Sequence, residues 1–307
     1  MSSPSPYADL LSRIPVEEHE IELFGSRTRY WVYGAADAPT TIIASHGYRG
    51  EHHGLEPVVA HTTGIRWISP DLPGFGESSP MTELPHSIAG YGEWFSAFVR
   101  ATGLEGSAVI LGHSFGSIVT SQAVSAGLNA PALILINPIA ISGLEAPHKV
   151  GTFVTVNWYR INNALPRPIA ERLLRSRLAT VFVTVSLAKS RDRALRRWIH
   201  DQHNTYFNRF HDRDFVIESF KASIENNVGE YVHDISIPVL LLAAELDDIT
   251  PISSIHEMAE RMTDARVTVL DGVGHLIHYE SPAPAAAAIT AFLDELDLSH
   301  AENQGGS

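Results

Sequence analysis

Three separate stretches of this chain hold side chains that could carry out acyl chemistry together. The first is Gly112-His113-Ser114-Phe115-Gly116, which follows the apolar run Ala108–Leu111 and opens a helical pattern ending near Gly127. A serine at so sharp a strand-to-helix turn is held in a strained, accessible conformation. Side chains two residues to either side would clash, which gives Gly112 and Gly116 a steric reason. The helix N-terminus under Ser114 favours developing negative charge. A serine hydroxyl is a poor nucleophile until a base takes its proton. The candidate base is His275, in Asp271-Gly272-Val273-Gly274-His275, just past the run Arg266–Leu270. His278 competes, but it lies nearer the next helical stretch and reads as a packing or solvent-exposed residue. A carboxylate that accepts from the imidazole would fix its tautomer and stabilise the imidazolium. Asp247 and Asp248 both follow the run Pro238–Ala243, and motif register favours Asp247. The run Ala132–Ile136 ends in Asn137-Pro138, so no carboxylate stands there. A tetrahedral oxyanion needs two amide donors. Phe115 N–H, next to the serine, is one candidate, and Tyr48 N–H, in Ser45-His46-Gly47-Tyr48, is the other.

The elements that must position these groups are legible as an alternation. Thr41–Ser45, Arg66–Ser69, Ala108–Leu111, Ala132–Ile136, Pro238–Ala243 and Arg266–Leu270 are short, nearly continuous apolar runs, as in parallel strands covered on both faces. Glu20–Phe24 and Arg29–Tyr33, around Gly25-Ser26, read as an antiparallel hairpin at the start of the sheet. Helical stretches lie between the runs: Ser87–Ala101, the stretch after Ser114, Ile252–Met262 and Pro282–Leu296. Strands alternating with helices imply βα units and a mostly parallel, doubly wound sheet.

Residues 143–230 break the rhythm. They hold 14 Lys and Arg against 9 Asp and Glu, whereas the rest of the chain holds 8 against 26. The segment is mainly helical in pattern and reads as an insertion over the sheet edge. Within it Leu178–Leu187 is rich in β-branched residues and fits a strand or a cap helix. The expected organisation is a core of residues 1–142 and 231–307 and a cap of residues 143–230. The overall charge of −13 argues against nucleic acid as a partner. Cysteine is absent, which excludes disulfides and thiolate metal sites. No apolar run reaches the length of a membrane span, and the N-terminus lacks the pattern of a signal peptide, so the expected location is cytoplasmic. The polar end, Ser299–Ser307, is expected to fray.

The motifs Ser45-His46-Gly47-Tyr48, Asp71-Leu72-Pro73-Gly74-Phe75-Gly76-Glu77-Ser78, Gly112–Gly116, Glu245-Leu246-Asp247-Asp248-Ile249-Thr250-Pro251 and Gly274-His275 occur in an order that resembles the α/β-hydrolase superfamily, in its capped branch of esterases and C–C bond hydrolases. The resemblance runs from about Glu20 to Leu296. It implies the α/β-hydrolase fold, a triad of Ser114, His275 and Asp247, and an acyl-enzyme route with no cofactor. The chain departs from the family at Ala244, where glycine is frequent, and this loosens the register that separates Asp247 from Asp248. The expected reaction is hydrolysis of a small-molecule carboxylic ester. Cleavage of a C–C bond, thioester hydrolysis and a receptor role with little turnover are the alternatives.

Other features have plainer readings. Asp71–Ser78 reads as a tight turn. His46, His52, His53 and His61 could suggest a metal cluster, but carboxylate partners at ligand spacing are not evident and the triad needs no metal. Arg191–Arg197 reads as a solvated helix face more readily than as an anion site. Trp158, Tyr159, Phe182 and Trp198 could line a pocket or simply pack the insertion onto the body.

Overall fold

The computed structural model describes residues 5–144 and 149–298, the latter with the backbone alone at residues 149–153, 178, 179 and 182. The frayed end expected at 299–307 lies outside the described residues.

A short helix α1 (Ala8–Leu11) precedes the hairpin of β1 (Val16–Leu23) and β2 (Ser26–Tyr33). Its turn residues Phe24 and Gly25 both have positive φ, 51° and 70°. That conformation matches the right-handed twist of the flanking strands. There follow β3 (Thr40–Ser45), α2 (Glu56–Val59), β4 (Ile65–Pro70), α3 (Ile88–Ala101), β5 (Val109–His113), α4 (Phe115–Ser125) and β6 (Leu133–Ile136). Five helices come next: α5 (Lys149–Ala164), α6 (Arg167–Leu174), α7 (Arg177–Leu187), α8 (Arg193–Tyr206) and α9 (Arg213–Glu225). The chain then returns to β7 (Val239–Ala244), α10 (Ile252–Glu260), β8 (Ala265–Leu270), α11 (Ile277–Glu280) and α12 (Pro282–Glu295).

The eight strands form one sheet in the order β1-β2-β4-β3-β5-β6-β7-β8. The β1–β2 and β2–β4 pairs are antiparallel, and every other pair is parallel. Because side chains alternate across a strand, each parallel strand supplies two cores. Ile43, Ile110, Leu133, Leu135 and Leu241 face one side, with Trp94, Phe98 and Ile118 from α3 and α4. Ile42, Leu111, Ile134, Leu240 and Leu242 face the other, with Ile289 and Phe292 from α12. The sheet is therefore covered on both faces, which is why its strands read as unbroken apolar runs. Leu178–Leu187, open between strand and helix in the sequence, falls in α7. It contacts α8 and joins no strand, so tertiary context overrides its β-branched composition.

The strand order reverses between β3 and β5. Connections leave in opposite directions there and open a crevice at the carboxyl ends of the strands. The loop after β3 and the turn after β5 both sit at that point. Among the described residues no helix is long and apolar enough to cross a membrane.

Trp94 fastens α3 to this frame. It is fully buried, stacks on Phe98 at 5.6 Å and donates through Nε1 to Thr28 Oγ1 at 3.3 Å. Trp94→Ala is expected to cost about 3–5 kcal/mol in urea unfolding. A loss below about 1 kcal/mol would mean that the site can collapse and that α3 is held elsewhere.

Candidate active site

Strand β5 ends at His113, and α4 starts at Phe115, so the chain turns from strand to helix through the single residue Ser114. Its backbone has φ 52° and ψ −116°, a conformation that L-residues rarely adopt. Strain of this kind persists only where the surroundings over-determine it. Here Ser114 N–H donates to Ile136 O at 3.0 Å, and Ser114 O accepts from Ser117 N–H at 2.8 Å and Ser117 Oγ at 2.5 Å. A β-carbon on Gly116 would lie 2.3 Å from Ser45 O, and one on Gly112 would lie 2.5 Å from Gly116 O. Both glycines thus have the steric reason expected of them.

Ser114 Oγ lies 2.8 Å from His275 Nε2, and His275 Nδ1 lies 2.8 Å from Asp247 Oδ2. The carboxylate can only accept, so Nδ1 carries a proton, and in the tautomer protonated there alone Nε2 faces the serine as an acceptor. Asp247 Oδ2 also accepts from Asn137 Nδ2 at 3.0 Å, and Oδ1 accepts from the amides of Ile249 at 2.8 Å and Thr250 at 3.3 Å. Burial pushes the Asp247 carboxyl up, but His275 beside it and these donors outweigh burial and hold its pKa below the usual carboxylate value. Asp248 points elsewhere. Its exposed carboxylate pairs with Lys189 Nζ, on the linker between α7 and α8.

Phe115 is the first residue of α4, so its amide has no acceptor within the helix. Tyr48 follows Gly47, where a β-carbon would lie 3.3 Å from Ser114 Cβ and 2.9 Å from His113 Nδ1. The loop after β3 therefore passes directly beside the serine. Among the described residues neither amide donates to a backbone acceptor.

Several supporting residues were not singled out in the sequence. Asn137, in the left-handed region at φ 45°, joins Asp247 to Gly274 O, 3.4 Å from its Nδ2. Its only signal is an Asn-Pro at a strand end. Glu280 accepts from Gly274 N–H at 3.0 Å and, through its other oxygen, from Lys189 N–H at 2.7 Å and from Ser190 N–H. His275's loop is thereby tied to the linker between α7 and α8. His278 is buried rather than exposed. Its ring meets that of His113 edge-on at 4.2 Å, and burial lowers the pKa of both, to about 3 for His113.

The residues with plainer readings also find places. His46 accepts from Leu72 N–H at its Nε2 and donates from Nδ1 to Gly47 O, both at 2.8 Å, and so braces the loops after β3 and β4. Asp71–Ser78 is more than a tight turn. Asp71 is buried and accepts from His52 N–H, His52 Nδ1 and Glu77 N–H, each at 2.8 Å. Gly76 N–H donates to Arg209 O and His211 N–H to Gly74 O, both at 2.9 Å, which joins this loop to the one between α8 and α9. Carboxylates do lie beside the histidines. The ligand atoms of Glu51, His52 and His53 fall within 4.8 Å of one another. Both Nδ1 atoms are already engaged, His53 by Glu51 at 2.5 Å and His52 by Asp71 at 2.8 Å, so the group forms two carboxylate–imidazole pairs. His61 instead donates to Pro57 O at 2.7 Å. Tyr159 packs under Tyr48 with Trp158, whereas Trp198 packs with Tyr279 in a separate cluster. Phe182's side chain lies outside the described residues. Arg191, Arg193, Arg196 and Arg197 are exposed.

This fold and this arrangement define an α/β hydrolase. The profile described as "Alpha/beta hydrolase family" matches residues 42–288, and the chain belongs to that family. A protein of Caulobacter sp. (strain K31), provisionally named carbamate hydrolase RutD, is 26% identical over 273 residues, which is 85% of this chain and 92% of that one. Among solved structures, a thermophilic esterase from Thermogutta terrifontis superposes with a TM-score of 0.71 at 18% identity, over 91% of this chain and 99% of its own. The carboxylesterase CesB of Bacillus subtilis superposes with a TM-score of 0.70 at 17% identity, over 94% and 95% of the two chains. At these identities the structures show a shared fold.

Because Asp247 has a lowered folded pKa, its contribution to stability is present above the unfolded carboxylate value of about 3.9 and is lost as pH falls through the lower folded value. The stability gap between wild type and Asp247→Asn, from urea unfolding at a series of pH values, is expected to be widest near neutrality and to close in acid. A gap independent of pH would show that Asp247 is not held as the anion.

Proposed function

We propose that this chain is a serine hydrolase of carboxylic esters, acting through an acyl-enzyme. The observation that carries this reading is the continuous chain of hydrogen bonds Ser114 Oγ–His275 Nε2 and His275 Nδ1–Asp247 Oδ2, each 2.8 Å, at a strained strand-to-helix turn. His275 takes the Ser114 proton as Oγ attacks the ester carbonyl. Asp247 holds the ring in the required tautomer and stabilises the imidazolium. The Tyr48 and Phe115 amides receive the oxyanion, aided by the N-terminus of α4. His275 protonates the leaving alcohol and then activates the water that releases the acid.

Helices α5–α9 serve as the cap over the crevice and select the substrate. Their ties to the loops after β3, β4, β7 and β8 favour a cap seated on the body. The esterases among the structural neighbours favour ester substrates. The name of the Caulobacter relative makes carbamates the second acyl class to try.

The test is hydrolysis of p-nitrophenyl esters from acetyl to dodecanoyl, with a carbamate alongside. Ser114→Ala is expected to lower kcat by at least about 10³-fold and Asp247→Asn by about 10⁴-fold. Asp248→Asn should stay within about twofold of wild type, since it loses only an exposed ion pair. Turnover that survives Ser114→Ala would end the serine reading. A larger loss from Asp248→Asn than from Asp247→Asn would reassign the acid.

A further inference from the structure

Two consecutive residues of the loop after β3 bury their side chains among helices of the inserted segment. Tyr48's ring packs between Phe75 and Phe115 of the body and Tyr159 and Phe220 of α5 and α9, with centroids 5.7–6.4 Å away. Its hydroxyl donates to Val216 O at 2.7 Å. Arg49 reaches the other helices. Its side chain takes the residue to 3% exposure, and Nη2 donates to Leu174 O, at the end of α6, at 3.0 Å. Nε donates to Phe207 O, at the end of α8, at 3.1 Å. Nη2 also donates to Asn208 Oδ1 at 2.8 Å, and Asn208 passes the contact on to Thr180 of α7 through a 3.1 Å bond. The guanidinium carbon sits 4.3 and 4.9 Å from the ring centroids of Phe207 and Phe210.

An arginine is a costly way to fill such a space. Among the described residues it forms no ion pair with a carboxylate, and a buried charge without compensation is strongly unfavourable. Compensation comes from the partial negative charge at two helix C-termini and from two aromatic faces. The planar fork presents spaced donors, Nε and Nη2, to both helix ends at once, whereas an ammonium would have to reach both from a single nitrogen. Arg49 is also in the left-handed region at φ 57°, a strained conformation for a residue with a β-carbon. What the side chain grips therefore fixes the backbone of this loop, one residue from the Tyr48 amide.

We propose that Arg49 is a positioning residue. By fastening the loop after β3 to the ends of α6 and α8, it holds the Tyr48 amide where the oxyanion forms, so the seating of the inserted helices sets the rate of acyl transfer. This rests on the reading of Ser114 as nucleophile and of Tyr48 N–H as an oxyanion donor.

The experiment compares wild type, Ser114→Ala, Arg49→Ala, Arg49→Lys and Asn208→Ala on p-nitrophenyl acetate and butyrate, well below each variant's melting temperature. A displaced oxyanion donor slows the transition state without weakening ground-state binding. Arg49→Ala is expected to lose about 10–100-fold in kcat, with KM within about threefold. Guanidinium ion at tens of millimolar (order of magnitude) should restore part of that loss, and sodium chloride at equal ionic strength should not. Arg49→Lys should remain impaired. If Arg49→Ala does not fold, Asn208→Ala decides the matter, with an expected kcat loss of about fivefold at unchanged KM. Wild-type kcat in folded Arg49→Ala, a change in KM alone, or no response to guanidinium would overturn the assignment while leaving the serine mechanism intact. Absence of Ser114-dependent turnover in wild type would overturn the mechanism and the assignment with it.

Discussion

The structure depends on one tight backbone turn. Between β5 and α4 the chain reverses through Ser114 alone, in a conformation that would relax if anything around it gave way. Ile136 O and Ser117 hold its peptide groups from both sides. The closeness of β3's last carbonyls to Gly116 leaves no room for a side chain there. Much of the sheet's central packing serves this approach. β3 and β6 must flank β5 in register, Ser45 opposite Gly112 and Ile136 opposite His113, for the serine to be held where it is.

Around that turn several polar groups are engaged more than once, although Ser45 Oγ, His113 Nε2 and Asn137 Oδ1 are buried with no hydrogen-bond partner among the described residues. Asp247 accepts four hydrogen bonds, His46 uses both ring nitrogens, and Glu280 accepts from three amides. Glu280 and other groups join the loops around this site to the helices between β6 and β7. Lys189 meets Asp248, Glu280 meets the linker between α7 and α8, and Gly74 and Gly76 meet the loop between α8 and α9. The body and the inserted helices are joined through the very loops that carry the candidate chemistry.

The sheet was readable because parallel strands with two buried faces leave unbroken apolar runs, and β3 through β8 fall within a residue or two of those runs. That Ser114, His275 and Asp247 could meet is legible because each follows the carboxyl end of a parallel strand. What lay out of reach were partners far apart in the chain. Asn137 meets Asp247 across 110 residues, and Arg49 meets Asn208 across 159. Nothing local in Asn-Pro, or in an arginine after His-Gly-Tyr, encodes such a meeting. Asp71 reads as part of a turn in the sequence because two of its three donors come from His52, which meets it only when the loops after β3 and β4 lie side by side. Leu178–Leu187 was ambiguous because its composition favours a strand, while its neighbours in space are helices.

The outer strand β1 carries Glu17, Glu18, Glu20 and Glu22 within eight residues, paired only toward β2. Its far side presents open backbone donors and acceptors, the surface on which a second copy could add a strand. A second β1 arriving there would bring its own four glutamates against these. Like charges along such an edge oppose strand addition without a proline or a bulge to interrupt the strand, even with Arg27 and Arg29 of β2 beside Glu18 and Glu20. That protection lies in side-chain charge and not in the shape of the backbone, so an edge of this kind would lose it if the glutamates were replaced by neutral residues.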